Sequence, residues 1–166
     1  MISPCVEADA LRIQEIINSA ASAYRGVVPD DCWHEPYMSL DELRSEVDSG
    51  VVFVGYREER GLVGVMGSQD VDDVTLIRHA YVLPGAQGVG IGHSLLDHLL
   101  SATSRRVLVG TWTSAAWAIR FYERHGFTLT TSDETRRLLE RYWSVAERQM
   151  EVSSVLIGPE QAPQDE

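Results

Sequence analysis

The residues of this chain whose spacing is most suited to chemistry are Gly88, Gly90 and Gly92, at alternate positions in Gln87-Gly88-Val89-Gly90-Ile91-Gly92-His93-Ser94. They follow a β-rich run ending in Tyr81-Val82-Leu83-Pro84. They precede a helical pattern with Ile91, Leu95 and Leu99 in one row and Leu96 and Leu100 beside it. A strand that passes through glycines into a helix start leaves several backbone N–H groups unpaired beside the positive end of the helix dipole. Such a site holds phosphate without a cationic side chain. A second concentration of reactive types is the stretch from Arg25 to Met38. It has two prolines, no periodicity, and Trp33, His34, Glu35 and Tyr37 close together, and it reads as an ordered loop long enough to carry function. His79 stands two residues before Tyr81, on the same strand face. His93, Asp97 and His98 are no metal set, because positions i and i+5 do not share a helix face and no third ligand lies at helical spacing.

The elements that must position these residues follow from periodicity and punctuation. Ile2 to Val6 reads as a short edge strand. Ile13, Ile16, Ile17, Ala20, Ala21 and Tyr24 define the packed face of a helix over Asp9 to Tyr24. Ser39-Leu40-Asp41-Glu42 is a capping box opening a second helix, closed by Gly50. Val51 to Tyr56 and Leu62 to Ser68 form an antiparallel hairpin, and Val74 to Leu83 is the next strand. Arg106 to Trp112 is a further strand. Ser114 caps a helix from Ala115 to His125 that ends at Gly126, and Phe127 to Thr131 starts another strand. Asp133 to Tyr142 is helical, and Arg148 to Ile157 alternates as a last strand. With hairpins first and crossover helices later, the order implies an α+β, mixed-sheet fold.

The chain has 166 residues with 44% hydrophobic content, enough for one domain with its own core, spanning 1–157. Residues 158–166 are acidic and Pro-containing, and are expected to be a mobile tail. The net charge of -11 and pI near 4.8 exclude a phosphate-backbone binder and favour a cationic partner. All the positive charge is arginine. Cys5 and Cys32 form no metal-like spacing, no apolar run approaches the roughly 20 residues of a membrane helix, and no N-terminal segment resembles a signal peptide. A soluble, cytoplasmic protein is the expectation.

Spelling separates three readings of the glycine loop. A dinucleotide fingerprint, G-x-G-x-x-G, fails at His93, and a P-loop needs a lysine, of which the chain has none. What remains, Gln87-Gly88-Val89-Gly90-Ile91-Gly92, fits Q/R-x-x-G-x-G/A. Downstream, Ala118-Ile119-Arg120-Phe121-Tyr122-Glu123-Arg124-His125-Gly126-Phe127 fits A-I-x-F-Y-E-x-x-G-F. With these two motifs the chain resembles the GNAT superfamily of acetyl-CoA-dependent N-acetyltransferases over roughly Ile2 to Thr131. One position departs from the pattern: the family commonly has an Asn seven residues before the tyrosine, and here it is Ala115, with Thr113 and Ser114 as nearby hydroxyls.

The resemblance implies a central, mostly antiparallel sheet with helices on both faces and a splayed pair formed by the fourth and fifth strands. It implies acetyl-CoA as cofactor, held by Tyr81, Val82, Leu83, Gln87, Gly88, Val89, Gly90, Ile91, Gly92, His93, Ser94, Phe121 and Arg124. The Val82 N–H would polarise the thioester carbonyl. Tyr122 would protonate the leaving thiolate, while His79, His34, Glu35 or a water relay would take the amine's proton. Trp33, His34, Glu35, Tyr37 and Trp112 would shape the acceptor site, with Glu35 pairing an ammonium. Transfer of acetyl to a primary amine, small or peptide, is the leading reading, and a catalytically inactive CoA-binding sensor the alternative. A homodimer through the last strand or the segment after Thr131 is the oligomeric option by analogy.

Overall fold

The computed structural model describes residues 1–161. Apolar residues that alternate along the strands face two separate helical layers. Val107 and Val109 pack on one side of their strand and Leu108 on the other, and Leu156 and Val155 divide in the same way. Seven strands result: β1 (Ile2–Pro4), β2 (Val52–Glu58), β3 (Gly61–Val71), β4 (Val74–Val82), β5 (Arg106–Trp112), β6 (Thr128–Leu129) and β7 (Ser153–Ile157). They lie in the order β1-β2-β3-β4-β5-β7-β6. All neighbours are antiparallel except β4 and β5, which α3 (Ile91–Ser101) joins as a parallel crossover. This is the mixed, mostly antiparallel architecture the sequence implies.

On one face α3 and α4 (Ala116–Arg124) cover Ile77, Val107, Val109 and Leu156. On the other, α1 (Ala10–Ala21) and α2 (Leu40–Asp48) cover Phe53, Leu62 and Val65, while α5 (Ser132–Tyr142) covers Val74, Leu76, Leu108 and Val155. The row Ile91, Leu95, Leu96 and Leu99 is buried, as its spacing requires. Ser39 caps α2 by accepting the Glu42 N–H at 3.1 Å.

Several boundaries differ from the sequence reading. The first helix is α1 flanked by 3-10 turns at Glu7–Asp9 and Ser22–Tyr24. Ser114 does not cap α4; that position falls to Ala115, fully buried and without a side-chain cap. The run from Arg148 is not all strand: α6 (Glu147–Glu151) precedes β7. The Arg148 guanidinium bonds Glu151 one helical turn on, and both carboxylate oxygens of Asp31 at 2.7 and 3.1 Å. β6 is only two residues long. The Gly158 N–H donates to the Val107 carbonyl at 2.8 Å, and residues 162–166 of the expected tail lie outside the described residues.

The feature that creates the site is the parting of β4 and β5. They pair only at Val74–Ile77 against Arg106–Val109. Beyond this β5 stays with β7, and the side of β4 from Arg78 to Val82 has no strand partner. A bulge marks the same point: Val65 opposes Tyr81 and Gly67 opposes Arg78, so Met66 faces both His79 and Ala80. His79 adopts φ +56°, a left-handed conformation that costs a non-glycine residue about 1–3 kcal/mol. Opposite Arg78 the β3 residue must be glycine, because a Cβ on Gly67 would stand 2.6 Å from the Arg78 carbonyl oxygen.

Candidate active site

A cavity of about 740 Å³ fills the opening between β4 and the helices α3 and α4, and reaches the end of α1. At one end is the glycine loop. Gly88 and Gly90 hold φ +83° and +89°, and Gly90 is the N-cap of α3 with no side chain supplying a cap. The Ser94 N–H makes the first intrahelical bond, to the Gly90 carbonyl at 3.0 Å, so the N–H groups of Ile91, Gly92 and His93 are left for a ligand. Gln87 turns its amide back to the Val82 carbonyl at 3.0 Å and ties the loop to the end of β4. The residues lining the cavity include all the expected cofactor set except Leu83, Val89 and Ser94.

The strand edge supplies further donors. The Leu83 N–H bonds the Val63 carbonyl at 2.9 Å, which makes 63 and 83 a hydrogen-bonded pair. Antiparallel alternation then turns the N–H and C=O of Val82 away from β3, into the opening. Tyr122 is 5% exposed on α4 and lines the same space. Burial, followed by the charge of Tyr24, pushes its phenol well above the ordinary range, so the proton stays on Oη at neutral pH. Its hydroxyl has no hydrogen-bond partner among the described residues, yet it is not sealed from the cavity.

At the other end is an aromatic cluster centred on Tyr24, whose ring lies 5.7 Å from Tyr37, 6.4 Å from Tyr81 and 5.8 Å from Trp117. Burial, then the neighbouring Tyr37, pushes the Tyr24 phenol up to about 12, against a hydrogen bond with Tyr81 that lowers it. Tyr24 and Trp117 line the cavity and were missed as site residues. Tyr24 fits the core period of α1, and its signal is a tyrosine at a helix end, apolar in body and polar at the tip.

The expected acceptor residues lie outside the cavity lining. Tyr37 accepts the Trp112 indole N–H at 3.1 Å, and Trp33 and exposed His34 both stack on the Tyr37 ring, outside the cavity. Glu35 is exposed and ion-paired with Arg25. The structure therefore brings Tyr81, Val82 and Tyr122 together at the cavity and does not bring Glu35 there.

His79 is also outside the lining. The bulge turns Arg78 and His79 to the same side, and both reach Glu46 of α2, the guanidinium at 3.4 Å and the imidazole through Nε2. Burial raises the Glu46 carboxyl, but the hydrogen bond and charge of His79, with Arg78, outweigh it and hold the group below its usual range. An Nε2–H donated to Glu46 leaves Nδ1 as the ring's acceptor. Glu46, an unremarked acid in the capped helix, could not be singled out from sequence, since nothing local ties it to a residue 33 positions away. Among the described residues no group of three or more His, Cys, Asp or Glu is placed to hold a metal.

The family model for the acetyltransferase (GNAT) domain matches residues 12–139, spanning the cradle, the opened strand pair and Tyr122. The chain belongs to the GNAT acetyltransferase family. No curated protein sequence matches it. Solved structures similar to this GNAT chain include the ribosomal-protein-S18-alanine N-acetyltransferase of Escherichia coli, with 18% identity, TM-score 0.71, and 99% of this chain and 96% of that one covered. The PaiA N-acetyltransferase of Thermoplasma acidophilum, solved with coenzyme A, has 15% identity and TM-score 0.68, covering 95% and 97%. YncA of Salmonella typhimurium, solved with its cofactor acetyl-CoA, has 19% identity and TM-score 0.63, covering 100% and 96%. At these identities the likeness is one of fold. No helix among the described residues is long and apolar enough to cross a membrane.

Proposed function

We propose that this GNAT protein transfers an acetyl group from acetyl-CoA to a primary amine by direct attack in a ternary complex. One observation carries the reading. A single cavity joins a side-chain-free anion cradle, the free edge of β4, and a buried phenol whose hydroxyl is left open. Two of the structures of like fold hold CoA or acetyl-CoA, which supports the cradle's assignment to the pyrophosphate.

The N–H groups of Ile91, Gly92 and His93 would hold the pyrophosphate, and the free groups of Arg78–Val82 the amide-bearing arm. When bound, acetyl-CoA supplies an activated acyl thioester. The Val82 N–H is a fixed donor for the carbonyl oxygen on which acyl transfer builds negative charge, and it needs no reorganisation. Tyr122 keeps its proton on Oη until a departing sulfur takes it. The acceptor enters beside Tyr24, Tyr81 and Trp117, whose faces suit a cationic amine on a protein of net charge -11. His79 Nδ1, through water, receives the proton the amine must lose before attack.

The test is release of free thiol from acetyl-CoA in the presence of a panel of amines, including polyamines, amino acids and peptides with free N-termini. Acceptor-dependent release supports the enzyme. Tight acetyl-CoA binding without turnover on any acceptor would instead favour the sensor reading, to which the buried alanine at position 115 lends weight.

A further inference from the structure

Two histidines 32 positions apart meet beside the cradle. His93 is the third residue of α3, and its Nδ1 lies 2.7 Å from Nε2 of His125, with ring centroids 4.9 Å apart. His125 is fixed in turn: its Nδ1 lies 2.7 Å from the Phe121 carbonyl oxygen at the end of α4. A carbonyl only accepts, so His125 Nδ1 carries a proton. In the neutral ring Nε2 is then a lone pair, and His93 Nδ1–H donates to it. The remaining nitrogen of neutral His93, Nε2, is consequently an acceptor. Both rings line the cavity, and His93 is exposed.

A bare acceptor at the mouth of an anion cradle opposes the anion. Without a ligand a proton on His93 Nε2 would sit beside the positive end of α3, whereas a bound phosphate reverses the sign of the local field. The other charged groups nearby are Arg124, which lines the cavity from α4, and Asp97, one turn further along α3. Arg124 supplies a positive charge and Asp97 a negative one, and the imidazole pair is the partner built to gain or lose a proton.

We propose that the His93–His125 pair takes up one proton when the phosphate groups of CoA bind, turning His93 Nε2 from an acceptor into a charge-assisted donor to the ligand. The proton comes from solvent and is released when CoA leaves, so cofactor affinity falls as pH rises. This rests on the assignment of the cradle to CoA. His93 is then a cofactor-binding residue through its side chain as well as its N–H, and His125 a positioning residue that sets its tautomer.

The test is calorimetric titration of CoA into the full chain at pH 7 in two buffers of different ionisation enthalpy. The expected result is a net uptake of a large fraction of one proton per CoA in the wild type. His93→Gln should abolish that uptake, and His125→Gln should reduce it. His93→Arg, permanently charged, should bind CoA with no uptake and with affinity flat from pH 6 to 8. CoA binding without proton uptake, or equal uptake in wild type and His93→Gln, overturns the proposal. The latter result would place the proton on the ligand's own phosphate. Absence of any CoA binding by the wild type would remove the cradle assignment first, and is recognised by silence in every buffer.

Discussion

Two substitutions two residues apart in the glycine loop should move stability in opposite directions. Gly90 sits at φ +89° with open space where a Cβ would go, so Gly90→Ala meets no clash and is charged only for the left-handed backbone, about 1–2 kcal/mol. For a chain of 166 residues that is a fall in Tm of roughly 2–8 °C. Gly92 is inside the first turn of α3 with helical backbone, and its Cβ would lie 3.5 Å from the Phe121 ring, an ordinary contact. Gly92→Ala should therefore gain up to about 0.5–1 kcal/mol of stability. The pattern Q/R-x-x-G-x-G/A accepts alanine at this position, so the added methyl should leave CoA affinity within about threefold, ~0.7 kcal/mol. Urea unfolding and calorimetric CoA titration on both variants give the four numbers needed. A Gly90→Ala protein as stable as wild type, or a Gly92→Ala protein clearly less stable than wild type, would refute the argument that the left-handed backbone demands glycine at 90 and the helical one does not at 92.

Tyr122→Phe should lower kcat by at least about 10²-fold with CoA affinity within about threefold, because it removes a proton and leaves the packing; wild-type turnover on the true acceptor would sink the acid role. Glu46→Gln should lower kcat/KM and alter its acidic limb while CoA binding holds, whereas Glu35→Ala, whose side chain is exposed on Arg25, should change neither; pH profiles of both variants decide it. Asp9 is held below the ordinary aspartate range by the Arg57 guanidinium at 2.8 Å, then by the Val6 N–H at 2.9 Å. A depressed carboxyl stabilises the fold above the unfolded value near 3.8, and this contribution is lost as pH falls through the folded value. Urea unfolding at pH 7, 4 and 3 should thus show a shallower acid decline for Asp9→Asn, and an unchanged slope would contradict the pairing.

What was legible in the sequence is what depends on local spacing. The three-residue offset of Ser39 and Glu42, the Ile91-Leu95-Leu99 row and the alternate glycines each encode their structure within a few positions, so α2, α3 and the cradle follow from them. What escaped depends on chain segments far apart. The dyad of Glu46 with His79 exists because a bulge opposite Gly67 turns two successive residues to one side, and the pair of His93 with His125 exists because α3 and α4 lie side by side. Tyr24 was read as core because its period is that of α1; only the parting of β4 from β5 makes a cavity for it to face. The stretch from Arg148 alternates like a strand, but Asp31, 117 residues earlier, anchors its first turn as a helix.

The parting of the two strands has a bearing on how mutations will read out. At Val82 the useful group is the peptide N–H, which every residue except proline carries in the same place. A scan that trims side chains to alanine will register His79 and Tyr81 on this strand and pass over Val82 almost in silence. Val82→Pro, which deletes that N–H, is the substitution that would expose it. The tolerance of sequence change at Val82 is thus a property of the backbone, and drift there can proceed without touching the cofactor's seat.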